Sequence, residues 1–227
     1  MTVGEGTDKP EACDRRPMTV TVESFEVADP ADAWTRAGFT VESGVCRVGG
    51  VGIRLVGRNA GTGIAGWSLR GLPPRASDHD LDGVPTTWTD DVAAAAPAEH
   101  PNGVVAIDHV VLLSPDLRRT VAALAAVGVE PRRERDAELG GRPIRQIFFR
   151  FGEVIVEVVG SPDMTDEGPS TLWGITYVVA DIDATAAFFG ERTGPVKDAV
   201  QPGRRITTLR HRDLGMSVRT AMMSARR

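Results

Sequence analysis

Apolar and polar residues alternate in short bursts along this chain, and the bursts recur in one order three times. The first segment opens with VTVESFEVA from Val20, a strand by its period of two. It runs into Asp29-Pro30, an N-cap residue followed by a residue suited to a first helical turn, which predicts a short helix through Trp34 to Gly38. TVESGVCRVGG, VGIRLVG and GIAGWSLRGL follow as three short strands parted by Gly and Asn turns. The second segment opens with VVAIDHVVLL from Val104 and reaches Ser114-Pro115-Asp116, with Ser114 taken as the cap. Leu117, Val121 and Leu124 then recur at helical spacing up to Gly128. PRRERDAEL, RPIRQIFFRFG and EVIVEVVG complete it as strands. The third segment runs from LWGITYVVA through Asp181 as cap, a helix over Ala184 to Phe189, Gly190 as stop, and then PVKDAV, RRITTLR and GMSVRTAMM. Each segment therefore reads β-α-β-β-β, and aligning the caps places Ser24, His109 and Thr176 at one position, five residues before each cap.

This organisation predicts an α+β fold with a polar tail over 1–17, a single module over 18–72, a Pro- and Ala-rich linker over 73–103, and a paired-module domain over 104–227. The paired modules occupy 104–160 and 171–223. An odd third module leaves a sheet surface that a second chain or the 73–103 linker could cover, and a homodimer is expected.

Composition narrows the function classes. The 227 residues carry a formal net charge of −5, which offers no basic field for a nucleic acid backbone. No apolar run approaches the roughly 20 residues that cross a bilayer, and Glu5, Asp8 and Glu11 stand where a signal peptide needs an apolar core, so a cytoplasmic location without membrane partners is expected. Cys13 and Cys46 make neither a disulfide framework nor a CxxC clip and are read as free thiols. Asp78, Asp80, Asp82 and Gly83 open like a calcium loop, but Thr89 stands where the bidentate Glu belongs, which favours a polar loop. Gly49, Gly50 and Gly52 precede no capped helix, so they are turn glycines rather than a dinucleotide fingerprint.

Tandem β-α-β-β-β modules with His109 inside IDHVVLLSPDL and Glu157 inside FGEVIVEVVG resemble the vicinal oxygen chelate superfamily, which includes glyoxalases, extradiol dioxygenases and bleomycin resistance proteins. The resemblance covers 104–222 and, more loosely, 18–72. It implies paired modules curled into one mixed sheet around a cleft, with a divalent metal (zinc, nickel, iron or manganese) held by His109 and Glu157. Thr176 stands where a second His is found in the family, and Arg219 and Thr220 stand near the place of a second Glu. The chain thus offers two ligands where a catalytic site takes about three.

Glu157, flanked by Val156 and Val158, needs a cation, a proton donor or water if it is buried; without a metal it is a candidate general base. Gln146, Phe148 and Arg150 share one strand face and offer an aromatic wall and a cation for a small anionic ligand. Trp173, Thr176 and Arg219 complete the expected lining, each weighed against a plain core or solvated role. His79, His100 and His211 sit in polar loop settings and are expected to be exposed, with His100 a conceivable third ligand. Two functions follow: a glyoxalase-like metal-assisted lyase, isomerase or dioxygenase, or a metal-free protein that binds and sequesters a small molecule.

Overall fold

The computed structural model describes residues 19–71, 80–90 and 96–226; the tail reading, Cys13, Asp78 and His79 lie outside them. The elements run β1 (Thr21–Val27), α1 (Ala31–Arg36), β2 (Val45–Val48), β3 (Val51–Leu55), β4 (Ile64–Arg70), β5 (Asp80–Leu81) and β6 (Val84–Trp88). After these come β7 (Val104–Leu113), α2 (Leu117–Ala126), β8 (Pro131–Leu139), β9 (Arg142–Phe151) and β10 (Val154–Gly160). The last group is β11 (Thr171–Val179), α3 (Ile182–Phe189), β12 (Lys197–Asp198), β13 (Arg205–Thr208) and β14 (Arg219–Ser224).

Two mixed sheets result. The eight-stranded sheet has the order β12-β13-β14-β11-β7-β10-β9-β8, the paired-module arrangement expected of 104–160 and 171–223. In each module the opening strand pairs parallel with the last one, β7 with β10 and β11 with β14, and the modules meet where β7 and β11 run antiparallel. The six-stranded sheet has the order β2-β3-β1-β4-β6-β5, the same topology without the two outermost strands. Here β3 is the parallel partner of β1, so the first module closes one strand early.

β4, expected as the last strand of a single N-terminal module, instead lies antiparallel to β1 and opens a second trimmed unit with β6 as its parallel partner. The stretch expected as a linker over 73–103 contributes β5 and β6 to that sheet. Alternation cannot distinguish a closing from an opening strand, because both present the same period of two. The unpaired third module that suggested a dimer is therefore replaced by a second pair.

Helix capping differs in two places. Asp116 rather than Ser114 caps α2, accepting from the backbone N–H of Arg118 (3.0 Å) and Arg119 (3.1 Å), as Asp181 does for α3 from Asp183 and Ala184. Ser114 instead bonds the Thr120 hydroxyl at 2.7 Å. Pro30 occupies the N-cap of α1 with no side-chain cap bond. Asp29, fully buried, turns away to accept from Trp34 Nε1 (3.1 Å), the Ser217 backbone N–H (2.9 Å) and the Ser217 hydroxyl (2.6 Å), and pairs with Arg58 at 2.7 Å. Arg58 also donates to the Gly215 carbonyl at 2.5 Å, so this cluster ties the first sheet to the loop before β14.

The two sheets share one apolar core. Trp67 of β4 packs on Phe151 of β9 at 5.5 Å, and Phe39 packs on Tyr177 of β11 at 5.3 Å. The odd residues Ile147, Phe149 and Phe151 of β9 face this core, which leaves Gln146, Phe148 and Arg150 on the opposite face. Asp82 does not hold a calcium loop: its carboxylate, nearly buried, takes Arg119 at 2.6 Å, Ser170 Oγ at 2.6 Å and the Thr120 hydroxyl, fastening the β5–β6 turn to α2. Cys46 is buried and free, and burial pushes its thiol up to about 12, which keeps it protonated.

His100 is buried rather than exposed, because it joins α1's exit to β2. Its Nδ1 accepts from Thr40 N–H (3.1 Å), leaving Nε2–H to donate to the Arg47 carbonyl (3.0 Å). Burial lowers its pKa below the usual 6.5, against the opposing pull of the Arg47 bond. The unfolded chain then binds a proton that the folded one resists, so stability is expected to fall as pH drops below about 6.5. His211, half-buried, shifts the same way. Urea midpoints between pH 7.5 and 5.5 should therefore decline, with a shallower slope in His100→Gln; an unchanged slope would contradict this role.

Candidate functional site

The concave face of the eight-stranded sheet carries a cleft of about 650 Å³ between β8, β9 and β10 on one side and the β12–β13 region on the other. Its floor is built where the modules meet. Thr176 pairs with His109 and Tyr177 with Ile107, so Asp108 is an extra residue in β7, a β-bulge. The bulge allows two consecutive residues, Asp108 and His109, to line the same cleft. Ile155 stands opposite His109 on β10, and Glu157 follows two residues later on the same face.

A line of polar contacts crosses this floor. Arg204, 3% exposed, donates to Asp108 Oδ1 at 2.5 Å and to the Ser224 carbonyl at 2.8 Å. Asp108 Oδ2 accepts from His109 Nδ1 at 2.8 Å, and His109 Nε2 lies 3.4 Å from Glu157 Oε2. Glu157 Oε1 accepts from Gln146 Nε2, whose Oε1 in turn accepts from Arg135 Nε at 2.9 Å. Burial raises the Asp108 carboxyl, but the His109 and Arg204 bonds outweigh it and hold its pKa below the ordinary 3.8. An ionised Asp108 accepts the Nδ1 proton and so orients the His109 ring with Nε2 toward Glu157.

The walls are cationic. Arg132, Arg133, Arg150 and Lys197 reach the cleft, and Arg133 lies over the Phe148 ring at 5.8 Å. Of the residues expected at the site, His109, Glu157, Gln146, Phe148 and Arg150 come together here. Trp173, Thr176 and Arg219 line a separate cavity further along the same strands. The cap alignment set Thr176 at the position of His109, and the two do pair across β11 and β7, although Thr176 lines the second cavity with Trp173 and Arg219. Asp108, Arg204 and Arg135 were missed: the bulge leaves no mark in the apolar pattern, and Arg204 is distant in sequence. His100 lies outside this lining.

The donor set does not fit a metal held by three or more protein ligands. Among the described residues no group of three His, Cys, Asp or Glu side chains converges. Beside His109, β11 presents Thr176, which pairs in turn with Ala221 of β14, and Met223 of β14 lines the cleft. Both Asp108 oxygens are engaged, and the Arg204 guanidinium beside them adds a positive charge next to any cation.

No family model matches the sequence, and no curated protein matches it. Solved structures do. A triple mutant of 4-hydroxymandelate synthase from Streptomyces coelicolor superposes with a TM-score of 0.62 at 15% identity, covering 93% of this chain and 94% of that one. Catechol 2,3-dioxygenase gives 0.59 at 12% identity, covering 93% and 94%. A xylose isomerase-like TIM barrel/4-hydroxyphenylpyruvate dioxygenase fusion protein gives 0.58 at 14% identity, covering 96% of this chain and 51% of that one. Identities this low establish a shared fold and nothing about substrate.

Proposed function

We propose, from the vicinal oxygen chelate fold that the chain carries, that it is a glyoxalase-like protein whose cleft binds a small aromatic acid and exchanges one of its protons without a metal. The observation that supports this reading is the continuous contact line from Arg204 to Arg135 beneath a cationic wall. Arg133 and Arg150 attract the carboxylate, Phe148 packs against the ring, and Gln146 holds Glu157 in place. Glu157 is the candidate general base. The C–H bond next to a ligand carbonyl breaks, its electron pair remains as the enolate, and the proton passes to Glu157, which becomes neutral, with the free Nε2 of His109 beside it to take the proton on. Two solved neighbours are named for 4-hydroxymandelate and 4-hydroxyphenylpyruvate, both aromatic acids, and these supply probes.

A second reading, sequestration without chemistry, is favoured by one observation: the floor's carboxylate oxygens already have partners within the protein. Calorimetry and proton NMR in D2O with 4-hydroxyphenylpyruvate separate the two. Binding is expected to survive chelator treatment, to exceed that of neutral catechol, and to weaken about tenfold when Arg133→Ala and Arg150→Ala are combined. Deuterium should enter the ligand's CH2 position faster than in buffer with the unaltered protein and not with Glu157→Gln. Binding without exchange would leave sequestration, and binding that requires added zinc, nickel, iron or manganese would overturn the metal-free reading.

A further inference from the structure

Beyond the His109 floor, along the same strands, a second cavity of about 520 Å³ opens between β11, β14 and the 3-10 turn at His211–Leu214. It shares no lining residue with the first cleft. Trp173 stands in it 44% exposed, and the Arg219 guanidinium lies over its ring at 4.7 Å. A guanidinium held over an indole face can still donate its N–H groups to a flat oxyanion. Arg210 and Arg212 line the same cavity with His211 between them.

Several arginines elsewhere on the molecule are neutralised by a carboxylate. Arg58, Arg119, Arg145, Arg204 and Arg205 each hold a carboxylate. Among the described residues, none of Arg210, Arg212 and Arg219 forms an ion pair, although Asp213 lies on the same lining. Burial lowers the His211 pKa, the Leu209 backbone bond opposes it, and the positive charge of Arg219 and Arg212 lowers it further against the pull of Asp29. Three guanidinium groups against the one carboxylate of Asp213 leave this lining with excess positive charge, which a bound anion relieves. An exposed indole beside them adds a surface for a planar ring.

We propose that this cavity is a second binding site, taking a planar aromatic molecule that carries a carboxylate or phosphate, with the ring against Trp173 and the oxyanion between Arg212 and Arg219. The site needs neither His109 nor Glu157 and stands whether or not the first cleft works as described. Phenyl phosphate, benzoate and neutral benzyl alcohol are the probes, titrated by calorimetry and by tryptophan fluorescence. In the Arg133→Ala/Arg150→Ala protein, whose first cleft is weakened, an aromatic anion should still bind and perturb fluorescence, and adding Trp173→Phe should remove that perturbation. In Arg212→Ala/Arg219→Ala the affinity should drop at least about fivefold, and added salt should weaken binding to the unaltered protein. The stronger of phenyl phosphate and benzoate identifies the oxyanion. Retention of full affinity in Arg212→Ala/Arg219→Ala, equal binding of benzyl alcohol, or loss of all binding in Arg133→Ala/Arg150→Ala would overturn the proposal.

Discussion

Asp29→Ala is expected to destabilise the protein by about 3–5 kcal/mol, the usual cost of removing one partner from a buried charge cluster. Asp29 is completely buried, and its loss leaves the Trp34 indole N–H and the Ser217 backbone N–H and hydroxyl without their acceptor. Arg58, 41% exposed, keeps its bond to the Gly215 carbonyl and can hydrate, so most of the cost falls on the enclosed donors. Asp29→Asn keeps one carbonyl acceptor and should cost less than half as much. Because the cluster links the first sheet to the loop before β14, urea unfolding of the Ala variant should also broaden. A loss below about 1 kcal/mol would show that the cluster adds little to stability.

Asp108→Ala should be the most damaging single change at the cleft. Arg204, 3% exposed, would keep only the Ser224 carbonyl, and an uncompensated buried guanidinium costs on the order of 3–5 kcal/mol. Arg204→Met together with Asp108→Ala should recover much of that stability, since no buried charge remains, while His109 still lacks its orienting acceptor. The double variant therefore separates folding from function: near-normal urea midpoint, but weakened binding and no deuterium exchange. The Asp108 pKa is depressed in the folded state, so its contribution is complete above about 3.8 and is lost as pH falls through the lower folded value. Acid unfolding of the unaltered protein should accordingly show an added loss below pH 3.8 that the double variant lacks.

Much of the second half of the fold could be read from the chain because several local signals agree there. Asp181 caps α3, Leu117 to Leu124 give α2 its apolar stripe, and the alternation in β9 already separates Gln146, Phe148 and Arg150 from the core residues between them. His109 and Glu157 are paired in the sequence only through the family resemblance, and the structure sets His109 Nε2 3.4 Å from Glu157 Oε2. The first sheet was harder. The strands β4 and β6 pair parallel, and nothing in IAGWSLR states which way β4 runs relative to β1. Asp29 and His100 were misassigned for a common reason: each satisfies distant backbone donors, and partners so remote in sequence leave no local pattern.

The bulge in β7 has a consequence for which sequence changes the cleft tolerates. In a regular strand neighbouring side chains point to opposite faces, so an adjacent acid and imidazole cannot meet over one floor. Ile107 and Val110 are both buried, three positions apart, and the two polar residues between them share the break in phase. Losing a single residue from this stretch would restore even alternation and a smoother ladder, yet it would leave one of the pair facing the wrong side. The chemistry of the floor thus depends on strand length as well as on residue identity, and a variant one residue shorter could fold well and be functionally silent.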